Sequence, residues 1–283
     1  MLPTFIHIGP SRTATTMCYQ ALWEHPEACV STIKETDYFS THYDRGMDWY
    51  QRFFEHCSSP LAVGEISNSY FPDPDVPRRI AAVVPEVKIV TVLRNPFERM
   101  RSVYRYLQKN GTIGPDTSLA QALRTQPTVT SGSSYGDSVN RYLKYFPRQK
   151  VRILFYDDLV NDPETFIRSL FAFIEVDEGF TPRAIHERIN PSVSARHPGI
   201  ASLAYRIADL LHSWQLHRPL RWVRETAMVK RLLFVPAKAE ESDDQSECCR
   251  EADEIVAPCF IPQIKEIERI TGRDLSSWYS HAV

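Results

Sequence analysis

Short apolar runs rich in β-branched residues alternate, through the first two thirds of the chain, with stretches whose apolar positions recur every three to four residues. Runs of the first kind predict buried strands and stretches of the second predict amphipathic helices, so the alternation predicts parallel βαβ units. Thr4 to Gly9 reads as a buried strand, followed by a polar turn and a helix from Thr15 to His25 that Pro26 stops. Ala28 to Thr32 and Leu61 to Ile66 read as further strands. Met47 to His56 carries Met47, Tyr50, Phe53 and Phe54 at helical spacing, and Val76 to Val84 is a helix entered through prolines. The clearest strand is Lys88 to Leu93 (KIVTVL), which runs into Arg94-Asn-Pro and a helix to Lys109. Gly111 to Ser134 is Thr-, Ser-, Gly- and Pro-rich, a loop with one short helix at Ser118 to Arg124, long enough to form a lid. Tyr135 to Phe146 is predicted helical, Val151 to Tyr156 a strand, and Pro163 to Ile174 a helix with Asp162 as its N-cap. Past Glu175 the periodicity weakens, with helices at Ala201 to Trp214 and Ile261 to Ile270. The predicted fold class is α/β: one domain, residues 1–283, with a central parallel β-sheet flanked by helices.

Composition narrows the function classes. The 283 residues, 43% hydrophobic and 24% charged, suffice for a full core. Thirty-three basic against 35 acidic side chains leave a net charge of -2, so no nucleic-acid coat is expected and any basic site must be local. The apolar stretch from Ile80 to Leu93 is broken by Pro85, Glu86 and Lys88, and no membrane span is expected. The short apolar run from Met1 to Gly9, interrupted by Pro3 and His7, is expected to be a poor secretory signal. The six cysteines are scattered, with no CxxC pair and no His at metal-ligand spacing; the expectation is reduced thiols, a cytoplasmic protein and no metal. Eight acidic residues between Glu240 and Glu254, opposed only by Arg250, read as a solvated or mobile surface segment.

Two segments carry candidate chemistry. Gly9-Pro-Ser-Arg-Thr-Ala-Thr-Thr16 lies between a strand and a helix, where backbone N–H groups and the helix dipole favour an anion. By itself the turn fits an ordinary βα connection with a Thr cap as well. It departs from a Walker A loop, since Ala14 and Thr15 stand where Gly and Lys would be and Arg12 is its one cation. The second segment begins at Arg94, at the exit of the central strand, with Ser102 eight residues on. A guanidinium fork and a hydroxyl there can bracket a phosphate at the edge where open parallel sheets bind ligands. Two anion sites on one edge suggest a ligand with phosphate at both ends. The bland alternative is a capped helix with basic surface residues.

PSRTATT, KETDYF, GEISNSYF and LRNPFERMRSVY, in this order and spacing, resemble the sulfotransferase superfamily, and most of all the sulfotransferase domain of heparan sulfate N-deacetylase/N-sulfotransferases and their bacterial relatives. The likeness continues through Gly46-Met-Asp-Trp-Tyr50, Pro77-Arg-Arg79, Tyr145-Phe-Pro147 and Thr271 to Trp278, with a weak patch from Pro198 to Ala257. It implies a P-loop-like domain and the donor 3'-phosphoadenosine 5'-phosphosulfate (PAPS). The 5'-phosphosulfate would sit on Arg12, Thr13, Ala14, Thr15 and Thr16, and the 3'-phosphate on Arg94 and Ser102, with Arg196 in a loop that closes over it. Arg12 would also stabilise charge on the departing bridging oxygen. Glu35 would be the base that takes a proton from a hydroxyl or amine of a carbohydrate or small-molecule acceptor; alone, Lys34-Glu35 reads as a solvated turn. Ser67, Asn68 and Tyr70, with Lys34, would line the acceptor side. Lys34 and Glu35, adjacent on an extended segment, are expected to point to opposite faces. Three departures stand out: Ala14 where relatives have Gly, Ile66 where they often have Lys, and Ser194-Ala195-Arg196 for a glycine- and lysine-rich loop. The competing reading is a P-loop kinase or NTPase with Asp157 and Asp158 as its magnesium-binding acids.

Overall fold

The computed structural model describes residues 1–114, 116–186, 193–195, 234–236 and 247–279. Five strands, β1 (Phe5–His7), β2 (Ala28–Val30), β3 (Ala62–Ile66), β4 (Lys88–Leu93) and β5 (Val151–Phe155), form one parallel sheet in the order β2-β3-β1-β4-β5. The connection from β1 leads toward one edge of the sheet and that from β4 toward the other. A topological switch point therefore lies at the C-terminal ends of β1 and β4, where such sheets hold their ligands.

Helix α1 (Thr15–Glu24) follows β1; α2 (Met47–Gln51), α3 (Val76–Val83), α4 (Pro96–Lys109), α5 (Leu119–Thr125), α6 (Tyr135–Leu143), α7 (Tyr156–Asn161), α8 (Pro163–Ile174) and α9 (Glu247–Thr271) complete the described helices. Each predicted strand and helix within the described residues is present with ends shifted by a few residues, with two exceptions: Met47 to His56 changes from α to 3-10 at Arg52, and the helix predicted at Ile261 to Ile270 is the last part of the 25-residue α9. Helix α7 falls where the sequence reads as the end of a strand. Asp162 caps α8 by accepting from Thr165 N at 3.0 Å. The predicted helix Ala201 to Trp214 lies outside the described residues.

The chain forms two compact units: residues 1–99, 130–189 and 256–283, and residues 100–129 and 190–255. The first holds the sheet. Phe5, Val90 and Ile66 on one face pack with Met17 and Leu22 of α1 and Phe171 of α8. Gly64 permits this: a Cβ there would stand 2.3 Å from the Phe5 ring. The second unit contains the antiparallel pair β6 (Val193–Ala195) and β7 (Phe234–Pro236), α5 capped by Ser118, and an ion pair of Arg101 with Asp253.

From Glu247 on, the acidic run forms the first turns of α9, with Glu251 and Glu254 exposed and Asp253 mostly covered in its ion pair with Arg101. Residues 240–246 lie outside the described residues. One correction concerns the cysteines: Cys29 and Cys57, expected as reduced thiols and 28 residues apart, form a disulfide. Pairing of β2 with β3 brings the two together, which no local spacing reveals. His56 Nε2 lies 3.4 Å from Cys29 Sγ, but sulfurs joined to each other offer no thiolate to a metal. Among the described residues no helix is long and apolar enough to cross a membrane.

Candidate active site

The loop from β1 to α1 opens with Gly9, whose φ of 89° and close approach to Asn68 both require glycine: a Cβ would lie 2.8 Å from the Asn68 Cα. Thr91 Oγ1 donates to Gly9 O at 2.6 Å, tying the loop to β4, and Thr13 Oγ1 donates to Pro10 O at 2.7 Å. Thr13 is fully buried, and its hydroxyl closes the loop. Arg12 and Ala14 have φ of 68° and 62°. Glycine adopts that left-handed conformation without penalty, whereas Ala14 does so at about 1–2 kcal/mol. The start of α1 has neither a side-chain cap nor an acid in its first turn, so the N–H groups of Thr15 and Thr16 face outward with the positive end of the helix dipole. Arg12 is exposed at the loop apex. Such a loop can take an anion, with a cation beside it.

His7, at the end of β1, is wholly buried, and its Nδ1 accepts from Gly9 N at 3.1 Å. That bond leaves the proton on Nε2, which is buried without a partner. Burial, with Lys34 nearby, pushes its pKa down to about 3, so the ring is neutral.

Glu35 follows β2, and its N–H donates to Ile66 O at 2.9 Å. Its carboxylate accepts the Asn68 backbone N–H (2.6 Å) and the Asn68 side-chain amide (2.6 Å), and it pairs with Lys34. The expectation that Lys34 and Glu35 diverge is corrected: Glu35 has φ of 65°, which breaks the extended alternation and turns both side chains to one side. Asn68 therefore touches the β1–α1 loop at Gly9 and the candidate base at Glu35, joining two motifs that the sequence only lists in order.

Ser67 and Tyr70 are fully buried and give their hydroxyls to Glu65, at 3.1 and 3.0 Å. Ile66 is buried in the core beside α1. Glu65 is the residue that sequence reading passed over. Burial pushes its carboxyl up to about 7, although hydroxyls of Thr36, Tyr50, Tyr70 and Ser67 pull the other way. A glutamate inside an otherwise apolar strand, between Gly64 and Ile66, was the available signal.

Arg94 leaves β4 at the predicted edge. Its guanidinium donates to Glu98 Oε2 from Nε (3.0 Å) and from the terminal nitrogen (2.9 Å), and stacks 4.5 Å from the centre of the Tyr156 ring. Its fork is thus shared with an acid one helical turn on. Ser102 is buried on α4; it belongs to the second compact unit and Arg94 to the first. Arg196 lies outside the described residues. Asp158 accepts both terminal nitrogens of Arg273 (2.6 and 2.8 Å), and Asp157 accepts Trp278 Nε1 at 2.7 Å. Both acids anchor the C-terminal segment, where a kinase would need them for magnesium.

Residues 2–193 match the family model described as "Sulfotransferase domain". The chain is 32% identical over 201 residues to the human bifunctional heparan sulfate N-deacetylase/N-sulfotransferase 2, covering 64% of this chain and 22% of that protein. It is 27% identical over 277 residues to the Drosophila melanogaster bifunctional heparan sulfate N-deacetylase/N-sulfotransferase, covering 82% and 26%. The chain thus spans about a quarter of the length of these relatives. A crystal structure of a sulfotransferase from Alicyclobacillus acidocaldarius shares the fold, with a TM-score of 0.69 at 21% identity, covering 98% of this chain and 99% of that one.

Proposed function

Because the chain belongs to the sulfotransferase domain family, we propose that its donor is PAPS and that it moves the sulfuryl group in line to an amine or hydroxyl of a carbohydrate-like or small-molecule acceptor. The observation that carries this reading is the Gly9–Asn68–Glu35 contact, which puts a carboxylate base beside an anion cradle. PAPS would supply an activated sulfuryl group and a bisphosphate handle.

The chain's own residues divide the work. The N–H groups at the start of α1 and the Arg12 guanidinium suit the phosphosulfate, and Arg12, which stays protonated at any working pH, opposes charge that grows on the leaving oxygen. Arg94, on releasing Glu98, suits the 3'-phosphate. Glu35 holds a carboxylate aimed by Asn68 to accept the acceptor's proton at Oε1 or Oε2. Lys34 partly neutralises Glu35 in the resting site. The names of the relatives favour a heparan-sulfate-like glycan among the acceptors.

The test is a screen with PAPS against N-desulfated heparin, neutral oligosaccharides and small amines and phenols, read by the mass gain of one sulfuryl group. One class gaining that mass supports the proposal, and mass gain from Mg-ATP in place of PAPS overturns it. On the acceptor found, Glu35→Gln is expected to lose about 100-fold or more in turnover while still binding adenosine 3',5'-bisphosphate. Arg12→Ala is expected to lose a similar factor.

A further inference from the structure

Glu65, the penultimate residue of β3, is completely buried, with both oxygens engaged. Tyr50 and Tyr70 donate their hydroxyls to Oε1, at 2.6 and 3.0 Å; Thr36 and Ser67 donate to Oε2, the latter at 3.1 Å. Three of these hydroxyls also accept backbone N–H groups of the segment just after Glu35. Ser67 Oγ takes Asp37 N at 3.2 Å, Thr36 Oγ1 takes Tyr38 N at 3.4 Å, and the Tyr70 hydroxyl takes Phe39 N at 3.1 Å. A hydroxyl has one proton and two lone pairs, so a carboxylate that draws the proton inward leaves the lone pairs for those N–H groups. Ser67 also immediately precedes Asn68, the residue that clamps Glu35.

We propose that Glu65 is a positioning residue for sulfuryl transfer: by orienting the hydroxyls of Thr36, Ser67, Tyr50 and Tyr70 it fixes the 35–39 turn and the Asn68 clamp together, and so aims the Glu35 carboxylate. The proposal rests on Glu35 being the base. Packing alone asks for an apolar side chain at this depth, because a buried carboxylate is tolerated only with its full set of donors. Gln at this position keeps the shape but presents an N–H₂ where an acceptor stood, so at least one hydroxyl must reverse its proton and the relay loses its common direction.

The experiment is a double-mutant cycle on the acceptor found in the screen, with kcat, KM for PAPS and calorimetric affinity for adenosine 3',5'-bisphosphate measured for Glu65→Gln, Glu35→Gln and the double variant. Glu65→Gln is expected to lower kcat about 10- to 100-fold, the scale of misplacing a reacting group, and to leave both donor readouts within about twofold. If Glu65 acts through Glu35, the double variant is no slower than Glu35→Gln alone; losses that multiply overturn the proposal, since independent sites add in free energy. Full activity of Glu65→Gln beside a slow Glu35→Gln overturns this proposal alone, whereas full activity of Glu35→Gln overturns the base reading and this proposal with it. Should Glu65→Gln not fold, Tyr70→Phe and Tyr50→Phe decide. Tyr70→Phe is expected to cost more in kcat because its hydroxyl also holds Phe39 N, and wild-type kcat in both overturns the proposal.

Discussion

Asn68 donates both its backbone N–H and its side-chain amide to the two carboxylate oxygens of Glu35, at 2.6 Å each. The bidentate clamp fixes the carboxylate in direction as well as in place. Hydrogen bonds to a charged group are worth about 1.5–3 kcal/mol, and Asn68→Ala removes the side-chain one. Turnover is therefore expected to fall about 10- to 100-fold with nucleotide affinity retained, and steady-state kinetics beside calorimetry would show the split. Equal losses in both would mean that Asn68 serves donor binding instead.

Arg94 is expected to gain affinity for the nucleotide when its resident competitor is removed. The pair with Glu98 is partly exposed, 18% and 44% for the two side chains, so it is worth about 0.2–1 kcal/mol. Glu98→Gln should tighten adenosine 3',5'-bisphosphate up to about fivefold and Arg94→Ala should weaken it. Calorimetry that finds Glu98→Gln weaker than wild type would show that the acid orients Arg94 for its ligand.

His7 makes stability depend on acid. Its pKa, 6.5 in the unfolded chain and about 3 when folded, is lowered, so the neutral form is favoured by folding. The contribution is complete above pH 6.5 and is lost as pH falls toward 3; the difference corresponds to about 5 kcal/mol. His7→Asn offers Oδ1 in place of Nδ1 to the Gly9 N–H and does not titrate. Urea unfolding from pH 7 to 4 should show a shallower decline in this variant than in wild type.

Glu65 works in the opposite direction. Folding raises its pKa from 4.5 to about 7, so its contribution is complete below pH 4.5 and is lost as pH rises through 7, by about 3 kcal/mol. Relative to Glu65→Gln, wild type should lose stability across that window. An advantage over the variant that grows with pH would show that the four hydroxyl donors outweigh burial.

Reduction of the Cys29–Cys57 disulfide opens a 28-residue loop that contains Glu35 and Tyr50. The chain-entropy relation gives about 3–4 kcal/mol for such a loop. A Cys29→Ser/Cys57→Ser variant is expected to melt lower by several degrees than the oxidised protein and to match the reduced one; an unchanged melting temperature would mean that packing alone holds β2.

The sequence by itself determined the strands, the helices between them and the residues at the strand exits. Those features are local: the run KIVTVL is buried whatever surrounds it, Pro26 ends α1, and a loop after β1 meets a helix start because parallel strands need crossovers. For the same reason Glu35, Arg12 and Arg94 were legible as candidates. Tertiary structure decided what each of them touches. Positive φ at Glu35 turned it toward Lys34, and the β3–β1 register brought Asn68 against Gly9. Folding back of the C-terminal segment gave Asp157 and Asp158 to Trp278 and Arg273, and β2–β3 pairing made a disulfide of two scattered cysteines. Periodicity reports only whether a position is buried, whereas the partners of Glu65 come from four separate points, Thr36, Tyr50, Ser67 and Tyr70, that converge only once the sheet has formed.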